Sequence, residues 1–400
     1  ETSLLALLTC ESIKYSLQHG VCLESATAFA LYAKLKIRCE GDYSGGKRWA
    51  DTSRAIIRNY EASKKVVDLA SAIRAQNILY CLVDVWSTPE REIARKCLER
   101  YNEAKKVGLV DDAMTSLMLG WSFLLYGGEK LSLVSQSSIS RFQEIAKHSQ
   151  FYAKWELCDY IYLMELTGKH EDYFSELDGS VCSLDDVQAE AESNKIHTLT
   201  YRIKVTNILR AYWKGDYLGA EESGPSNSVS NLDHASPLSS ILHCFFLALV
   251  SFHLYRTLGN DERLSKGREM MRQMEKWVKN SKAVFGTKCL LLKAEHAASI
   301  GGKRDIVKKY YSDAIRTAQD QGNIHELALA HELLGNYYHA TEGSAHDSSN
   351  CFERACVFYK QWGATAVVER IFHEHSLDIA SVTNVELQMG KSKRLGEHED

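Results

Sequence analysis

The chain has 400 residues, of which 45% are hydrophobic and 25% charged, and its 48 basic and 52 acidic residues give a net charge of −4. This composition excludes disorder over most of the chain, and the near-neutral charge excludes a global field that would recruit nucleic acid or an anionic membrane. Only three residues are proline, where average usage gives about twenty, which predicts a nearly all-helical protein with short connections.

Short glycine turns with charged neighbours separate the predicted helices along the chain. Glycine tolerates the left-handed backbone that ends a helix, and an Asp or Ser beyond it can cap the next helix. In chain order, these turns contain Gly41, Gly127, Gly168, Gly215, Gly259, Gly301 and Gly343. From Gly127 the spacings are 41, 47, 44, 42 and 42 residues, and Gly41 precedes Gly127 by 86, or two such units. A fixed period of this length is typical of a helical solenoid.

Between the turns, apolar residues follow helical spacing. One example is Phe352, Ala355, Cys356 and Tyr359, at positions i, i+3, i+4 and i+7. The period exceeds the 34 residues of a standard tetratricopeptide repeat (TPR), so longer helices are expected. The sequence therefore predicts an all-α, TPR-like, right-handed solenoid of about 16–17 antiparallel helices.

Capping signals mark several predicted helix starts. Ser236-Pro237 and Thr88-Pro89 each place a capping side chain before a proline at the first helical position. Ser183 is followed three residues later by Asp186, which resembles a capping box.

Two segments depart from the repeat pattern. Residues 223–236, rich in Ser and Asn, are predicted to form an exposed loop. This loop separates an N-terminal part of the superhelix, residues 1–222, from C-terminal repeats at 237–380, and a domain boundary there is the alternative interpretation. Residues 381–400 show no packing pattern, which predicts a flexible tail or linker. The start at Glu1 rather than Met favours a segment of a longer chain.

The expected compartment is the cytoplasm. The longest apolar run, Ile241–Tyr255, is shorter than the roughly twenty residues that span a bilayer, which predicts a buried core helix and no membrane partner. The eleven cysteines include no C-x-x-C pair and are irregularly spaced. They are interpreted as small buried hydrophobic residues in a reducing environment.

No motif for catalysis or cofactor binding is present. Gly45-Gly46-Lys47 and Gly301-Gly302-Lys303 are each followed by Arg, which does not match a P-loop, so both are interpreted as turns. A metal site remains possible if His325, His331 and His339 meet in space. We predict no catalytic, cofactor-binding or metal residues, no cofactor and no enzymatic activity for this segment.

Tryptophans near helix ends have two interpretations. Trp155, Trp213, Trp277 and Trp362 fall at predicted repeat junctions. Packing between repeats is the favoured role, and anchoring a partner on a concave face is the alternative.

One stretch carries a family resemblance. Within Ala283–Glu369, the runs at 310–318 (YYSDAIRTA) and 326–333 (ELALAHEL) and the later Trp362-Gly363-Ala364 resemble the helical-repeat region of large signalling ATPases of the STAND/AAA type. The resemblance spans about residues 20–375, and its final motif block is the most specific part. Val85 stands where the family usually has histidine before its Trp-x-x-Pro element.

The resemblance implies a role between catalytic modules. Such proteins often carry an N-terminal serine/threonine kinase, the ATPase core, and a histidine-kinase or cyclase output. Their ATP-binding and kinase residues lie outside the matching region. It implies a non-catalytic sensor or scaffold that binds a protein partner or effector on its concave surface and couples it to an adjoining ATPase in cis. A free-standing interaction scaffold and a small-molecule-sensing superhelix, with a deep pocket of Trp and His, are the alternatives.

Overall fold

The computed structural model describes residues 2–63, 69–169, 183–224, 236–341 and 345–396, which form twenty α-helices and no strand. The predicted all-α class is confirmed. The helices are α1 (Thr2–His19), α2 (Ser25–Glu40), α3 (Tyr43–Ala62), α4 (Leu69–Leu82), α5 (Glu90–Lys106), α6 (Val110–Tyr126), α7 (Leu131–Gln136), α8 (Ser138–His148), α9 (Gln150–Thr167), α10 (Leu184–Ser193), α11 (His197–Trp213), α12 (Tyr217–Ser223), α13 (Pro237–Leu258), α14 (Asp261–Val278), α15 (Lys282–Ser299), α16 (Arg304–Asp320), α17 (Ile324–Ala340), α18 (Ala345–Trp362), α19 (Thr365–His375) and α20 (Ile379–Gly396). A 3₁₀ turn, Asp84–Trp86, precedes α5.

The predicted number of 16–17 helices is too low. Short helices such as α7 and α12, with six and seven residues, bury too few side chains to show a helical period in the sequence. The helix α20 occupies most of the predicted 381–400 tail, where Val382 and Val385 lie three residues apart and are both buried. Three segments lie outside the described residues: 397–400, the part 225–235 of the loop predicted at 223–236, and the turn at Gly343.

Most predicted glycine turns have the expected backbone. Gly41, Gly168, Gly215, Gly259 and Gly301 have positive φ. At the second turn the left-handed residue is Gly128, with φ 72°, while Gly127 has φ −80°. Gly45 and Gly46 are not in a turn, because Asp42 caps α3 by accepting a hydrogen bond from the Gly45 N–H at 2.7 Å. A Cβ on Gly46 would lie 2.4 Å from Ile37, so this glycine lets α2 and α3 approach closely.

The other capping predictions are mostly confirmed. Ser183 and Asp186 form a capping box with N–H···O distances of 3.1 and 3.2 Å. Ser236 accepts from the N–H of Ser239 at the start of α13. The prediction at Thr88-Pro89 is off by one residue, because α5 begins at Glu90 with Pro89 in the cap position.

The helices form two layers. One layer, the inner one, consists of helices that follow one another side by side: α4, α6, α9, α11, α13, α15 and α17. The outer layer consists of helices that each pack on one or two of these: α5, α8, α10, α14, α16 and α18. Outer helices such as α14 bury one stripe, whereas the inner helix α13 is buried at every position from Pro237 to Phe252. Of the described helices, α13 alone is long and apolar enough to span a membrane, and 89% of that stretch is buried in the protein. The prediction of a core helix is confirmed.

Helix termini and turns of the N-terminal part contact helix termini and turns of the C-terminal part. Trp362 Nε1 donates to the Glu129 carbonyl at 3.0 Å, and Thr365 Oγ1 donates to the Thr167 carbonyl at 2.7 Å. Nearby, Arg91 donates to the carbonyl of Gly322. One hydrophobic core extends from Ala30 to Val385, and a smaller cluster lies beneath α1–α4. The predicted parts 1–222 and 237–380 therefore share a core.

Cysteine and tryptophan side chains mostly serve packing. Six of the ten described cysteines are buried, and Cys182 lies outside the described residues. Trp213, Trp277 and Trp362 are at most 4% exposed, which confirms their packing role.

Candidate functional site

A large cavity among the described residues lies where the two parts of the chain meet. It has a volume of about 720 Å³, within the range of roughly 300–1,000 Å³ that is typical of ligand sites. Its walls are α3, α4, the 3₁₀ turn, the start of α5 and the turn between α14 and α15. We call it the basic cavity, because its walls contain Lys47, Arg54, Arg58, Lys96 and Lys279 against two acids, Asp84 and Glu61.

Helix α3 positions three of the five cations. Lys47, Arg54 and Arg58 are spaced at i, i+7 and i+11, which places them on one face of a helix. The Asp42 cap fixes the first turn of α3, and Ser53 Oγ ties its middle to α2 by donating to the Ala26 carbonyl at 2.8 Å. The cations therefore project from a well-anchored helix.

Arg54 is held at the wall of the cavity by two acids. Its guanidinium pairs with Asp51 at 2.8 Å and with Asp84 of the 3₁₀ turn. Burial raises the pKa of Asp84, although Arg54 opposes the shift by favouring the charged carboxylate. Lys96 is similarly paired with Glu92 at 2.6 Å. These two cations are largely neutralised within the protein.

The other three cations carry the uncompensated charge. Lys47, Arg58 and Lys279 are exposed, and none forms an ion pair with another described residue. Lys47 and Arg58 come from α3, whereas Lys279 comes from the end of α14, more than half the chain away. The cavity therefore combines positive charge from both parts of the chain in a single, partly open cleft.

Three aromatic residues of the N-terminal part, Tyr43, Tyr80 and Trp86, line the cavity. Trp86 is 9% exposed and packs against Tyr43, with ring centroids 5.6 Å apart, and against Trp277, at 5.1 Å. Burial raises the pKa of Tyr43 and of Tyr80 to about 12, so both phenols remain neutral hydrogen-bonding groups. The cavity thus combines cations with flat, uncharged apolar surface.

This arrangement suits binding of an anionic group that carries an aromatic or apolar neighbour. Cations in a partly enclosed cleft attract anions more strongly than isolated surface charges do. Aromatic faces beside them add contact area at small entropic cost. Acidic peptide segments have this combination of properties.

The histidines proposed as a possible metal site are separated by their contacts. His325 packs on Trp362, His331 stacks on Phe358, and His339 lies beside His375. Among the described residues, no group of three His, Cys, Asp or Glu side chains is arranged to hold a metal ion.

Sequence reasoning named none of the cavity residues as a site. Lys47 belongs to Gly45-Gly46-Lys47, which does not match a phosphate-binding P-loop. The repeated cations on one face of α3 were a readable signal. The contribution of Lys279 could not be read, because it depends on a contact between distant helices.

Comparisons with known proteins give no relative. No protein-family model, no curated protein and no solved structure matches the chain.

Proposed function

We propose that this chain is a non-catalytic, TPR-like right-handed solenoid that acts as a scaffold or sensor by binding an acidic segment of a protein partner. The observation that carries the proposal is the basic cavity, in which Lys47, Arg58 and Lys279 have no acidic partner among the described residues. The two layers of helices and the recurring glycine turns support the solenoid arrangement.

The position of the cavity offers a route for coupling. Its walls belong to α3–α5 on one side and to the α14–α15 turn on the other. Ser281 Oγ in that turn donates to the Ser87 carbonyl at 3.4 Å. A partner that contacts both walls stabilises the arrangement in which they meet, because it binds that arrangement better than a separated one. Binding is thereby linked to the relative position of the two parts of the chain.

The family resemblance supplies the rest of the proposal. In a signalling ATPase of the STAND/AAA type, such coupling would pass to an adjoining ATPase and on to kinase or cyclase output. The proposed setting is the cytoplasm, with no nucleic-acid or membrane partner.

The proposal is tested by binding of a fluorescein-labelled peptide of glutamate and tyrosine to the full chain, followed by fluorescence anisotropy. We expect salt-sensitive binding that Lys47→Glu and Arg58→Glu each weaken by about tenfold, because each reverses a charge that faces the peptide. Arg48→Glu is the matched control, since Arg48 is exposed on the same helix but does not line the cavity. Equal losses in all three variants would refute the assigned site.

A further inference from the structure

A second cavity lies on the other face of α4. It has a volume of about 290 Å³ between α4, α6 and α9, and it shares no lining residue with the basic cavity. Ile78, Met118, Leu119 and Phe123 make most of its wall apolar, and Phe151, 46% exposed, lies at its rim. We call it the apolar cavity. Its volume is roughly twice the ~150 Å³ of an engineered apolar cavity that binds benzene.

Buried charged residues lie at the inner end of this cavity. Asp159 of α9 and Arg202 of α11 both line it, are each 4% exposed and form an ion pair. Asp159 also accepts hydrogen bonds from Ser122 Oγ and from the Tyr126 hydroxyl, the latter at 3.0 Å. Arg202 donates to the Tyr126 hydroxyl at 3.0 Å. The carboxylate is therefore fully occupied, and the guanidinium charge is neutralised within the protein.

Two hydrogen-bond donors at this cavity have no partner. The Nε of Arg202 and the Nε1 of Trp155 are both buried, and neither has an acceptor among the described residues. Both side chains line the cavity, but the two nitrogen atoms are themselves covered by neighbouring protein atoms, so an acceptor reaches them once the side chains turn toward the cavity. A buried N–H without an acceptor is costly, and most such groups in proteins are satisfied. Both unpaired groups are donors, so the missing element is an acceptor.

We propose that the apolar cavity binds a small, uncharged, mostly apolar molecule that presents a carbonyl-type oxygen to Trp155 and Arg202. The apolar walls favour a flat hydrocarbon body of about two fused rings, and the unpaired donors favour an oxygen at its inner end. An anion is disfavoured, because Asp159 already balances Arg202 and the walls offer no other positive charge. This inference does not depend on the basic cavity or on the proposed protein partner.

Three matched probes test the ligand class on the full chain by ligand-observed NMR and calorimetry. Acetylnaphthalene has the carbonyl, ethylnaphthalene lacks it, and naphthoate carries a charge in its place. We expect acetylnaphthalene to bind about tenfold more tightly than either of the other two. Failure of all three to bind, equal binding of the ketone and the hydrocarbon, or tightest binding of naphthoate would overturn the proposal.

Two variants locate the site and its donor. Leu119→Trp fills the cavity and is expected to remove binding, whereas Val110→Trp, at an exposed position of the same helix, leaves it unchanged. Trp155→Phe keeps an aromatic side chain but removes the Nε1 donor, so the preference for ketone over hydrocarbon should fall by about fivefold, whatever the change in wall area does to the affinity for both probes. Circular dichroism and urea midpoints confirm that each variant is folded. An unchanged preference in Trp155→Phe, or unchanged binding in Leu119→Trp, contradicts the assignment.

Discussion

Lys288 on α15 is buried and lies between two acids from distant parts of the chain. Its ammonium hydrogen-bonds to Glu326 of α17 and lies 3.9 Å from Glu90 of α5. Burial opposes its positive charge, but Glu326 and Glu90 outweigh burial and raise the pKa of Lys288. The positive charge of Lys288 is therefore stabilised on an inner helix, because acids from both parts of the chain surround it.

Removing this charge should destabilise the fold strongly. Lys288→Met leaves Glu326 and Glu90 as buried acids without their cation, which is expected to cost about 3–5 kcal/mol in the free energy of unfolding. Lys293→Met is the control on the same helix, because Lys293 pairs with Glu275 in a partly exposed position and should cost about 1 kcal/mol or less. Urea denaturation measures both, and similar losses would contradict the description of Lys288.

Buried histidines predict the response to acid. Burial lowers the pKa of His325 to about 4 and that of His331 to about 3, so both are neutral in the folded protein. An unfolded histidine takes up its proton near pH 6.5, so the stability that depends on neutral histidine is present above pH 6.5 and is lost as the pH falls toward 4.

We expect the free energy of unfolding to decrease from pH 6.5 to pH 4. In His325→Gln the decrease should be smaller by up to about 3 kcal/mol, because glutamine binds no proton in either state. His19→Gln, at an exposed position of α1, is the control. Urea titrations at several pH values give the slope of the free energy of unfolding against pH. Identical slopes for His325→Gln and the unchanged protein would rule out a neutral His325 in the folded state.

At the scale of elements, the turn after α6 joins two helices and also contacts a third. Gly128 has φ 72°, and a Cβ there would lie 1.8 Å from Nδ1 of His325 on α17. The turn after α15 offers the comparison, since Gly301 has φ 67° and open space around it. Both turns require a left-handed residue, but only the first one requires room for another helix.

Alanine substitutions at these two turns distinguish the cost of the left-handed backbone from the cost of the contact with α17. Gly301→Ala should cost about 1–2 kcal/mol, the penalty of left-handed backbone for a side-chain-bearing residue. Gly128→Ala should cost a further 1–3 kcal/mol or so, because its methyl group displaces His325. Thermal or urea unfolding compares them, and equal losses would show that the α6 turn does not pack against α17.

Helices and turns could be predicted where the sequence contains regular apolar spacing or a capping residue. The glycine turns at Gly41 and Gly168 and the caps at Ser183 and Ser236 could be read because their chemistry is local. Short helices such as the six-residue α7 are difficult to predict, because so few residues do not establish a period. Gly45 and Gly46 were misread as a turn, because the neighbours that require glycine there are seen only in the structure: the capping carboxylate of Asp42 beside Gly45, and Ile37 of α2 beside Gly46.

For the whole molecule, the sequence predicted the all-α fold class but not the contact between the two parts of the chain. Hydrogen bonds such as that from Trp362 to Glu129 join residues more than 200 positions apart, which no local pattern reveals. The candidate site depends on the same contact. The cations on one face of α3 could be read from the sequence, but the addition of Lys279 required coordinates.

Helix α4 links the two proposed binding sites. Leu79 and Tyr80 face the basic cavity, whereas Ile78 and Cys81 face the apolar cavity. The two proposed sites therefore share one helix but no lining residue.

The most direct test of the central claim is the affinity of Lys279→Glu for the labelled acidic peptide. If the two parts of the chain assemble one basic cavity, reversing this charge should weaken binding about five- to tenfold, as Lys47→Glu does from the opposite wall. Lys276→Glu, exposed on α14 but outside the cavity lining, should bind like the unchanged protein. Unchanged affinity in Lys279→Glu, with Lys47→Glu still weakened, would contradict the account.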